Sequence, residues 1–260
     1  MSNPEALFVS HGPVAFLTFN RPQARNALTW SMYATLADAC EQVDRDDRIR
    51  VFVIRAAGDA FAAGTDITQF SSFATGDDGL AYERRMEAVL DRLERVQVPT
   101  IAQVHGVAAG AGCLIAFCCD LRVCTPAAKF GVPIARTLGN CLSAANCARL
   151  VDLIGPGRTK DLLYTGRLFD AAEASSLGLV TRLIELPAID DAVRELAQTI
   201  AANAPWTIRV TKEAVRRLAV RRRLASGDDD DLVSACYESA DFHEGVAAFL
   251  EKRAPKFGRR

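Results

Sequence analysis

The sequence predicts an α/β fold in which a mainly parallel sheet is connected by helical crossovers and wound into a spiral. Short apolar runs typical of strands alternate with helical segments through the first half of the chain, and parallel strands need such crossovers. The runs are too short for one broad, flat sheet. From Pro187 onward the pattern is helical throughout. We therefore expect a core domain over residues 1–186 and a helical region over 187–260.

The first elements follow from local patterns. Apolar runs at 7–10 and 14–19 flank a His-Gly-Pro turn and predict a β-hairpin. A helix is expected to begin at Thr29-Trp30-Ser31 and to reach about Val43, followed by a buried strand with a charged entrance at 48–55. Residues 70–78 lack a clear period, which suggests a mobile flap before a helix at 80–96.

The later elements are read in the same way. A strand at 99–104 precedes a glycine segment and a short helix, and two further short strands follow. The carboxyl-terminal pattern predicts helices alone, which are typical of a cap or an oligomerisation arm. The short helix is expected at 113–117, and the two short strands at 121–124 and 129–131. The carboxyl-terminal helices are one that contains 194–196, one over 205–224 and a pair over 232–252.

Composition limits the classes of function. The chain has 260 residues, half of them hydrophobic, and a formal net charge of -1, which argues against attraction of the whole surface to nucleic acid or membranes. The amino terminus resembles no signal sequence and no apolar run approaches a membrane span, so we expect a cytoplasmic protein. The eight cysteines form no CxxC pair, which favours reduced, buried thiols over metal ligands or disulfides.

Two glycine-bearing segments, 61–66 and 105–112, each follow an apolar strand. Both can turn backbone N–H groups toward one point, and the second opens into a helix whose first N–H groups lack intrahelical partners. Together they predict an oxyanion hole. The alternative is that both are merely tight turns.

Several motifs occur in a characteristic order along the chain. They are Asn20-Arg21-Pro22 with Asn26-Ala27-Leu28, Ala63-Gly64-Thr65-Asp66, the segment 106–112, Phe130-Gly131-Val132-Pro133, and Glu244-Gly245 with Ala248–Arg253. In this respect the sequence resembles the crotonase, or enoyl-CoA hydratase/isomerase, superfamily. The resemblance implies a spiral of ββα turns, a carboxyl-terminal helical trimerisation region, a homotrimer or dimer of trimers, and an acyl-CoA substrate. It implies no cofactor other than the coenzyme A of that substrate, and no metal.

The resemblance also implies a set of site residues. The peptide N–H groups of Thr65 and Ala111 would bind the thioester oxygen. Ala24 and Arg25 would lie beside the nucleotide phosphates, and Ala63, Asp66 and Ile67 along the pantetheine and adenine. Phe249 and Lys252 would close over the coenzyme A of a neighbouring subunit. The remaining expected binding residues are Ala27, Gly110, Leu114, Pro133 and Ile134.

The chain departs from this family at its acid and base. Where typical hydratases carry two glutamates, this sequence has Leu114 and Ile134, and neither side chain can transfer a proton. Ordinary hydration is therefore not expected, nor isomerisation through a glutamate at the second position. The open alternatives are a decarboxylase or isomerase with a non-standard acid or base, and a catalytically silent acyl-CoA-binding or scaffold subunit.

Other residues are candidates for a chemical role, and each also has a simpler structural interpretation. Arg136 would bind a substrate carboxylate or form an ion pair, and Cys141 would be a nucleophile or, by preference, a packed thiol. Asp77, Asp78 and Glu83 are near enough to line an acyl tunnel, although solvated loop charges are the default. His105 precedes the second glycine segment and is a weaker candidate for the site.

The helix at 205–224 carries a basic stripe of Arg209, Lys212, Arg216, Arg217 and Arg221–Arg223. Some relatives in the superfamily bind RNA, which makes a nucleic-acid contact an alternative. An ion-paired helix surface is favoured because Asp228–Asp231 follow directly and no aromatic residues interleave. A nucleic-acid partner is therefore not expected.

Overall fold

The structure, a computed structural model, describes residues 4–258. Its strands are β1 (Ala6–His11), β2 (Val14–Phe19), β3 (Val51–Ala56), β4 (Thr100–Val104), β5 (Val107–Ala109), β6 (Leu121–Cys124), β7 (Lys129–Gly131), β8 (Phe169–Asp170) and β9 (Arg182–Leu183). Its α-helices are α1 (Trp30–Arg45), α2 (Gly76–Glu94), α3 (Ala111–Cys118), α4 (Ile134–Thr137), α5 (Ala144–Thr165), α6 (Ala171–Ser176), α7 (Ile189–Ala201), α8 (Pro205–Val220), α9 (Asp230–Tyr237) and α10 (Ala240–Leu250).

Two sheets form the core, and the larger is mainly parallel, as predicted, whereas the smaller has one parallel and one antiparallel pair. The larger has the strand order β1-β2-β3-β4-β6-β9, in which only the β1–β2 hairpin is antiparallel. The smaller has the order β5-β7-β8, with β5 parallel to β7. The chain passes from the larger sheet to the smaller at β5, returns at β6, and passes again at β7 and β9, so the backbone advances as a spiral. The second glycine segment lies at the first of these passages, and the first glycine segment, which follows β3, bridges to β5 through Ala62 and Ala108.

The central strands are buried on both faces. Every residue of β4 and the first four residues of β3 are buried, since helices cover both sides of the large sheet. Helix α1 packs on one side and α7 on the other. The boundary placed at residue 186 falls between β9 and α7 and stays a prediction.

The segment expected to be a mobile flap is packed against the body of the protein. Phe70 is 2% exposed and, with Phe73, contacts the rings of Tyr82 and Phe242. Helix α2 begins at Gly76, earlier than expected, because Thr75 and Asp78 form a capping box that satisfies its first N–H groups. The flap interpretation is therefore wrong, and the cause is an aromatic cluster assembled from distant parts of the chain.

Helix α2 is held closely against α9. An added Cβ at Gly79 would lie 2.1 Å from the Tyr237 ring, so only glycine permits this approach. The contact places α9 against the amino-terminal part of α2, although more than 130 residues separate the two helices in sequence.

Helix α8 has no buried residue and exposes a row of apolar side chains, among them Trp206 at 69%. It ends at Val220, before the predicted limit of 224. Within residues 4–258, no helix combines the length and apolar character needed to span a bilayer.

We expect Gly79→Ala to destabilise the protein by about 1–3 kcal/mol, because overpacking forces α2 and α9 apart. The matched control is Gly157→Ala, also within a helix, where an added Cβ meets nothing within 4 Å. Denaturant unfolding measures both. Equal free energies of unfolding for the two variants would contradict the proposed close packing.

Candidate active site

A cavity of about 190 Å³ lies between the two glycine segments on one side and helix α2 on the other. Most of its wall is apolar. Its lining residues are Ala63, Gly64, Thr65, Ile67, Phe70, Tyr82, Glu83, Met86, Ala109, Gly110, Ala111, Leu114, Val132, Pro133, Ile134, Thr137, Leu138, Asn140, Leu142, Asn146 and Phe249. An apolar wall of this kind suits the hydrocarbon of an acyl chain.

The first backbone donor belongs to Thr65. Leu28 donates to the carbonyl of Gly64 at 2.8 Å and accepts from the N–H of Asp66 at 2.9 Å. In a parallel bridge of this kind, the residue between those two partners turns its own N–H to the opposite side. Gly64 enters the turn with φ of 112°, which an L side chain rarely adopts. The Thr65 N–H therefore faces away from Leu28, toward the cavity.

The second donor is the N–H of Ala111, the first residue of α3. Gly110 precedes it with φ of 52° and ψ of -124°, a conformation essentially restricted to glycine. Gly110 donates its own N–H to the carbonyl of Gly131 at 2.9 Å, which fixes the turn. All eight residues of α3 are buried, so the positive end of its dipole meets the cavity in a dry environment.

Hydrogen bonds hold the two turns side by side. Ala62 donates to the carbonyl of Val107 at 3.1 Å and accepts from the N–H of Ala109 at 2.9 Å. An added Cβ at Gly110 would lie 3.5 Å from the Cα of Gly64. Within residues 4–258, neither the Thr65 N–H nor the Ala111 N–H donates to a protein acceptor. Two adjacent donors are thus available at one wall of the cavity.

The side chain of Thr65 is anchored by two tyrosines. Its hydroxyl is 2.6 Å from the Tyr33 hydroxyl and 2.8 Å from the Tyr82 hydroxyl. Burial raises the pKa of both phenols, which keeps them neutral. The tyrosines join the donor turn to helices α1 and α2, and neither was singled out from the sequence.

Glu83 is the one carboxyl group among the described residues that line the cavity. Its side chain is 5% exposed, so the expectation of a solvated loop charge is wrong for this residue. Oε1 accepts from the Tyr237 hydroxyl at 2.8 Å, and Oε2 accepts from the Ser143 N–H at 3.3 Å. Glu83 shares the buried face of α2 with Gly79, Tyr82 and Met86. These positions follow the helical period of 3.6 residues, and this pattern in the sequence indicates that Glu83 is buried.

Burial raises the pKa of Glu83 to about 7, although the hydrogen bonds from Tyr237 and Ser143 act in the opposite direction. Nearby Glu87 and Asp229 raise the pKa further. Near neutral pH, both the acid and the carboxylate are therefore populated, as a proton-transfer group requires.

The structure brings many of the predicted binding residues to the cavity wall and leaves others outside it. On the wall lie Ala63, Thr65, Ile67, Gly110, Ala111, Leu114, Pro133, Ile134 and Phe249. Ala24, Arg25, Ala27, Asp66 and Lys252 do not line the cavity. Phe249 lies on the cavity of its own chain, where it is 50% exposed; its contact with a neighbouring subunit stays a prediction.

Arg25 and Asp66 differ in what their side chains do. The carbonyl of Arg25 accepts from the Ala63 N–H at 3.0 Å, which places this residue beside the first glycine turn with its side chain exposed. Asp66 instead pairs with Arg21 at 2.6 Å. Burial opposes the ionised form, but hydrogen bonds from Thr68 and Arg21 lower the pKa of Asp66. Its carboxylate therefore holds the turn.

The other chemical candidates lie away from the cavity. Arg136 is exposed and has no ion pair with another described residue, and Asp77 is exposed as expected. His105 contacts the carbonyl of Gly58 at 2.9 Å. Cys141 contacts the Cys236 thiol, and this contact and burial raise its pKa, which fits a packed thiol. All eight cysteines are unpaired by disulfides.

The basic stripe of α8 is ion-paired, as favoured from the sequence. The acidic partners of the stripe are Glu213, Asp120, Asp152 and Glu94, which pair with most of its basic residues. These partners lie outside the run Asp228–Asp231, which was expected to neutralise the stripe. Among Asp228–Asp231, Asp230 pairs instead with Arg84 on α2.

Known proteins resemble this chain over almost its whole length. A family model described as enoyl-CoA hydratase/isomerase matches residues 10–260. A probable enoyl-CoA hydratase, echA8, of Mycobacterium bovis is 37% identical over 249 residues, covering 95% of each chain. The 1,2-epoxyphenylacetyl-CoA isomerase of Escherichia coli is 32% identical over 248 residues, covering 94% of each. A solved structure of methylmalonyl-CoA decarboxylase in complex with 2-nitronate-propionyl-CoA matches with a TM-score of 0.89 and 27% identity, covering both chains fully.

We expect Glu83→Gln to change how stability depends on pH. The pKa of Glu83 is about 7 in the folded protein and 4.5 in the unfolded chain. The wild type therefore loses stability as the pH rises from 4.5 toward 7. The variant lacks this loss and gains up to about 3 kcal/mol relative to wild type across that window. Denaturant unfolding at several pH values measures the difference.

The matched control is Glu195→Gln, the same chemical change at an exposed position of α7. Parallel stability curves for wild type and Glu83→Gln would contradict a buried carboxyl that takes up a proton.

Proposed function

The chain belongs to the enoyl-CoA hydratase/isomerase family, and from that premise we propose that it binds a short acyl-CoA and stabilises the enolate of its thioester. The thioester oxygen accepts from the N–H groups of Thr65 and Ala111. The acyl chain fills the cavity between the donor wall and α2, and the reaction proceeds through charge that develops on that oxygen.

One observation carries the proposal: two adjacent backbone N–H groups at one cavity wall have no acceptor within residues 4–258. Preorganised donors aimed at a developing oxyanion contribute roughly 3 to 4 kcal/mol each to transition-state stabilisation. The dipole of α3 acts in the same direction at the second donor. An enolate of a thioester fits both the charge and the apolar cavity.

The apolar side chains Leu114 and Ile134 distinguish this site from a two-glutamate hydratase. Both line the cavity, so the positions at which a water molecule would be activated are occupied by hydrocarbon. The relatives include an isomerase and a decarboxylase by name, and both kinds of reaction suit a site that stabilises an enolate. We propose a reaction of this kind in place of hydration.

Coenzyme A enters this proposal only as part of the substrate. Its nucleotide lies outside the cavity, with the exposed side chains of Arg25 and Lys252 as phosphate ligands and Phe249 at the rim. We also propose a homotrimer or a dimer of trimers, because the exposed apolar row on α8 requires cover. Support for the placement of coenzyme A is the exposure of Arg25 and Lys252, the hydrogen bond between Arg25 and the first glycine turn and the position of Phe249 on the cavity.

We expect little or no hydration of crotonyl-CoA, since no pair of carboxyls is present among the described residues lining the cavity. The loss of the absorbance of the conjugated double bond measures the reaction. Turnover near about 10 per second, typical of enzymes, would contradict this prediction.

We expect the protein to accelerate exchange of the α-protons of butanoyl-CoA with deuterated water, measured by NMR. Gly110→Ala should lower that rate by about 10²- to 10³-fold, because the side chain forbids the backbone conformation that aims the Ala111 N–H.

The matched control is Gly12→Ala in the β1–β2 turn, which places a side chain at a similar φ of 59° with nothing within 4 Å. Binding of butanoyl-CoA by the wild type without faster exchange would support a silent acyl-CoA-binding subunit and overturn the proposed function.

A further inference from the structure

Helix α2 brings a carboxyl group into a site whose family positions for carboxyls hold Leu114 and Ile134. Two consecutive residues of α2 line the cavity. The Tyr82 hydroxyl contacts the Thr65 hydroxyl at 2.8 Å, so α2 is joined by one hydrogen bond to the turn that carries the first oxyanion donor. Glu83 follows Tyr82 directly and lines the same cavity. The carboxyl and the donor wall therefore face one small space.

The hydrogen bonds at Glu83 leave it able to act as a base. Asn140 donates its amide N–H to the Tyr237 oxygen at 3.3 Å, which leaves the single Tyr237 proton for Glu83 Oε1 at 2.8 Å. Ser143 donates its backbone N–H to Oε2. Both oxygens accept from the protein, and an ionised carboxylate has further lone pairs to take a proton.

The charged groups around Glu83 oppose its ionised form. Glu87 lies one turn further along α2, and Asp229 lies at the start of α9, where it accepts from the Ala144 N–H at 2.5 Å. Other titratable groups complete the surroundings. The hydroxyls of Tyr33, Tyr82 and Tyr237 and the thiols of Cys141 and Cys147 have raised pKa values and are neutral, whereas the hydrogen bond with Cys141 lowers the pKa of the Cys236 thiol. Among the described residues, no cation is one of the groups with the largest effects on the pKa of this carboxyl, so its affinity for a proton is high for a glutamate.

We propose that Glu83 is the catalytic residue that carries protons to and from the acyl carbons of the bound thioester, and that Tyr237 is its positioning residue. This rests on the proposed function, because a proton leaves the α-carbon only when the thioester oxygen is stabilised. The assignment moves the acid and base of the site from the glycine-segment elements to α2 and α9.

The reaction is a proton shift with one base. For a β,γ-unsaturated acyl-CoA, the Glu83 carboxylate takes a proton from the α-carbon, the C–H bond breaks, and its electron pair moves onto the thioester oxygen through a dienolate. The Glu83 carboxylic acid then returns the proton to the γ-carbon, and the electrons form the α,β double bond. No atom is gained or lost, and the carboxylate is regenerated. Hydration would need a second group to activate water.

The test uses 3-butenoyl-CoA in deuterated water, with NMR following both α-exchange and conversion to the conjugated isomer. Glu83→Gln keeps an acceptor for Tyr237 but cannot take a proton, so both rates should fall at least about 100-fold while acyl-CoA binding is retained. Glu195→Gln, the same chemical change at an exposed position of α7, should change neither rate by more than a few-fold. Unchanged rates in Glu83→Gln would overturn the assignment.

Tyr237→Phe tests the positioning role. The variant keeps the ring but removes a hydrogen bond that favours the carboxylate, so the pH at which the exchange rate reaches half its maximum should rise. At high pH, where Glu83 is ionised without help, the rate should approach that of the wild type. A uniform loss at every pH, with no shift of the midpoint, would contradict the positioning role.

The infrared carbonyl stretch of bound butanoyl-CoA separates this proposal from the function on which it rests. Two N–H donors lower that frequency in the wild type and equally in Glu83→Gln. A wild type with no shift and no exchange would overturn the proposed function itself. A shifted carbonyl in both proteins, with exchange undiminished in Glu83→Gln, would leave the oxyanion site intact and overturn only the role of Glu83.

Discussion

The hydrogen-bonded contact between the two glycine turns is the constraint on which the site depends. Ala62 bonds to the backbone on both sides of Ala108, and an added Cβ at Gly112 would lie 2.4 Å from the Ala62 carbonyl. The turns are therefore held at the distance of a backbone contact. Because the turns are fixed in this way, the N–H groups of Thr65 and Ala111 are held in place without a ligand, as the proposed stabilisation of a thioester enolate requires.

The second feature of the site is the buried carboxyl of Glu83, which opposes folding, whereas the contact between the turns favours it. A carboxyl buried beside two other acids opposes folding whenever it is ionised, and only two hydrogen bonds offset this at Glu83. The aromatic cluster around Phe70, Phe73 and Tyr237, together with the close contact at Gly79, holds α9 over α2 and keeps water from the carboxyl. The stability of that contact and the chemistry of the cavity thus depend on the same side chains.

Much of the fold was predictable because it follows from local periodicity. The β1–β2 hairpin, the strands that lead into the glycine turns and the helical end of the chain all agree with the structure, and the motif order identified the family. The sequence predicted no helix or strand within residues 132–186. The structure contains α4, α5, β8, α6 and β9 there. The donor turns could be located since glycine spacing is a local property. The burial of Glu83 was harder to predict, because the residues that form hydrogen bonds with it, Tyr237 and Ser143, are 154 and 60 residues away in sequence.

The central claim is that one thioester carbonyl oxygen lies between the N–H groups of Thr65 and Ala111. A crystal structure with bound butanoyl-CoA measures this directly. The account predicts that both nitrogens lie about 2.7–3.1 Å from that oxygen, with the acyl chain against Leu114 and Ile134. A carbonyl oxygen bound elsewhere, or within reach of only one of the two nitrogens, would contradict it.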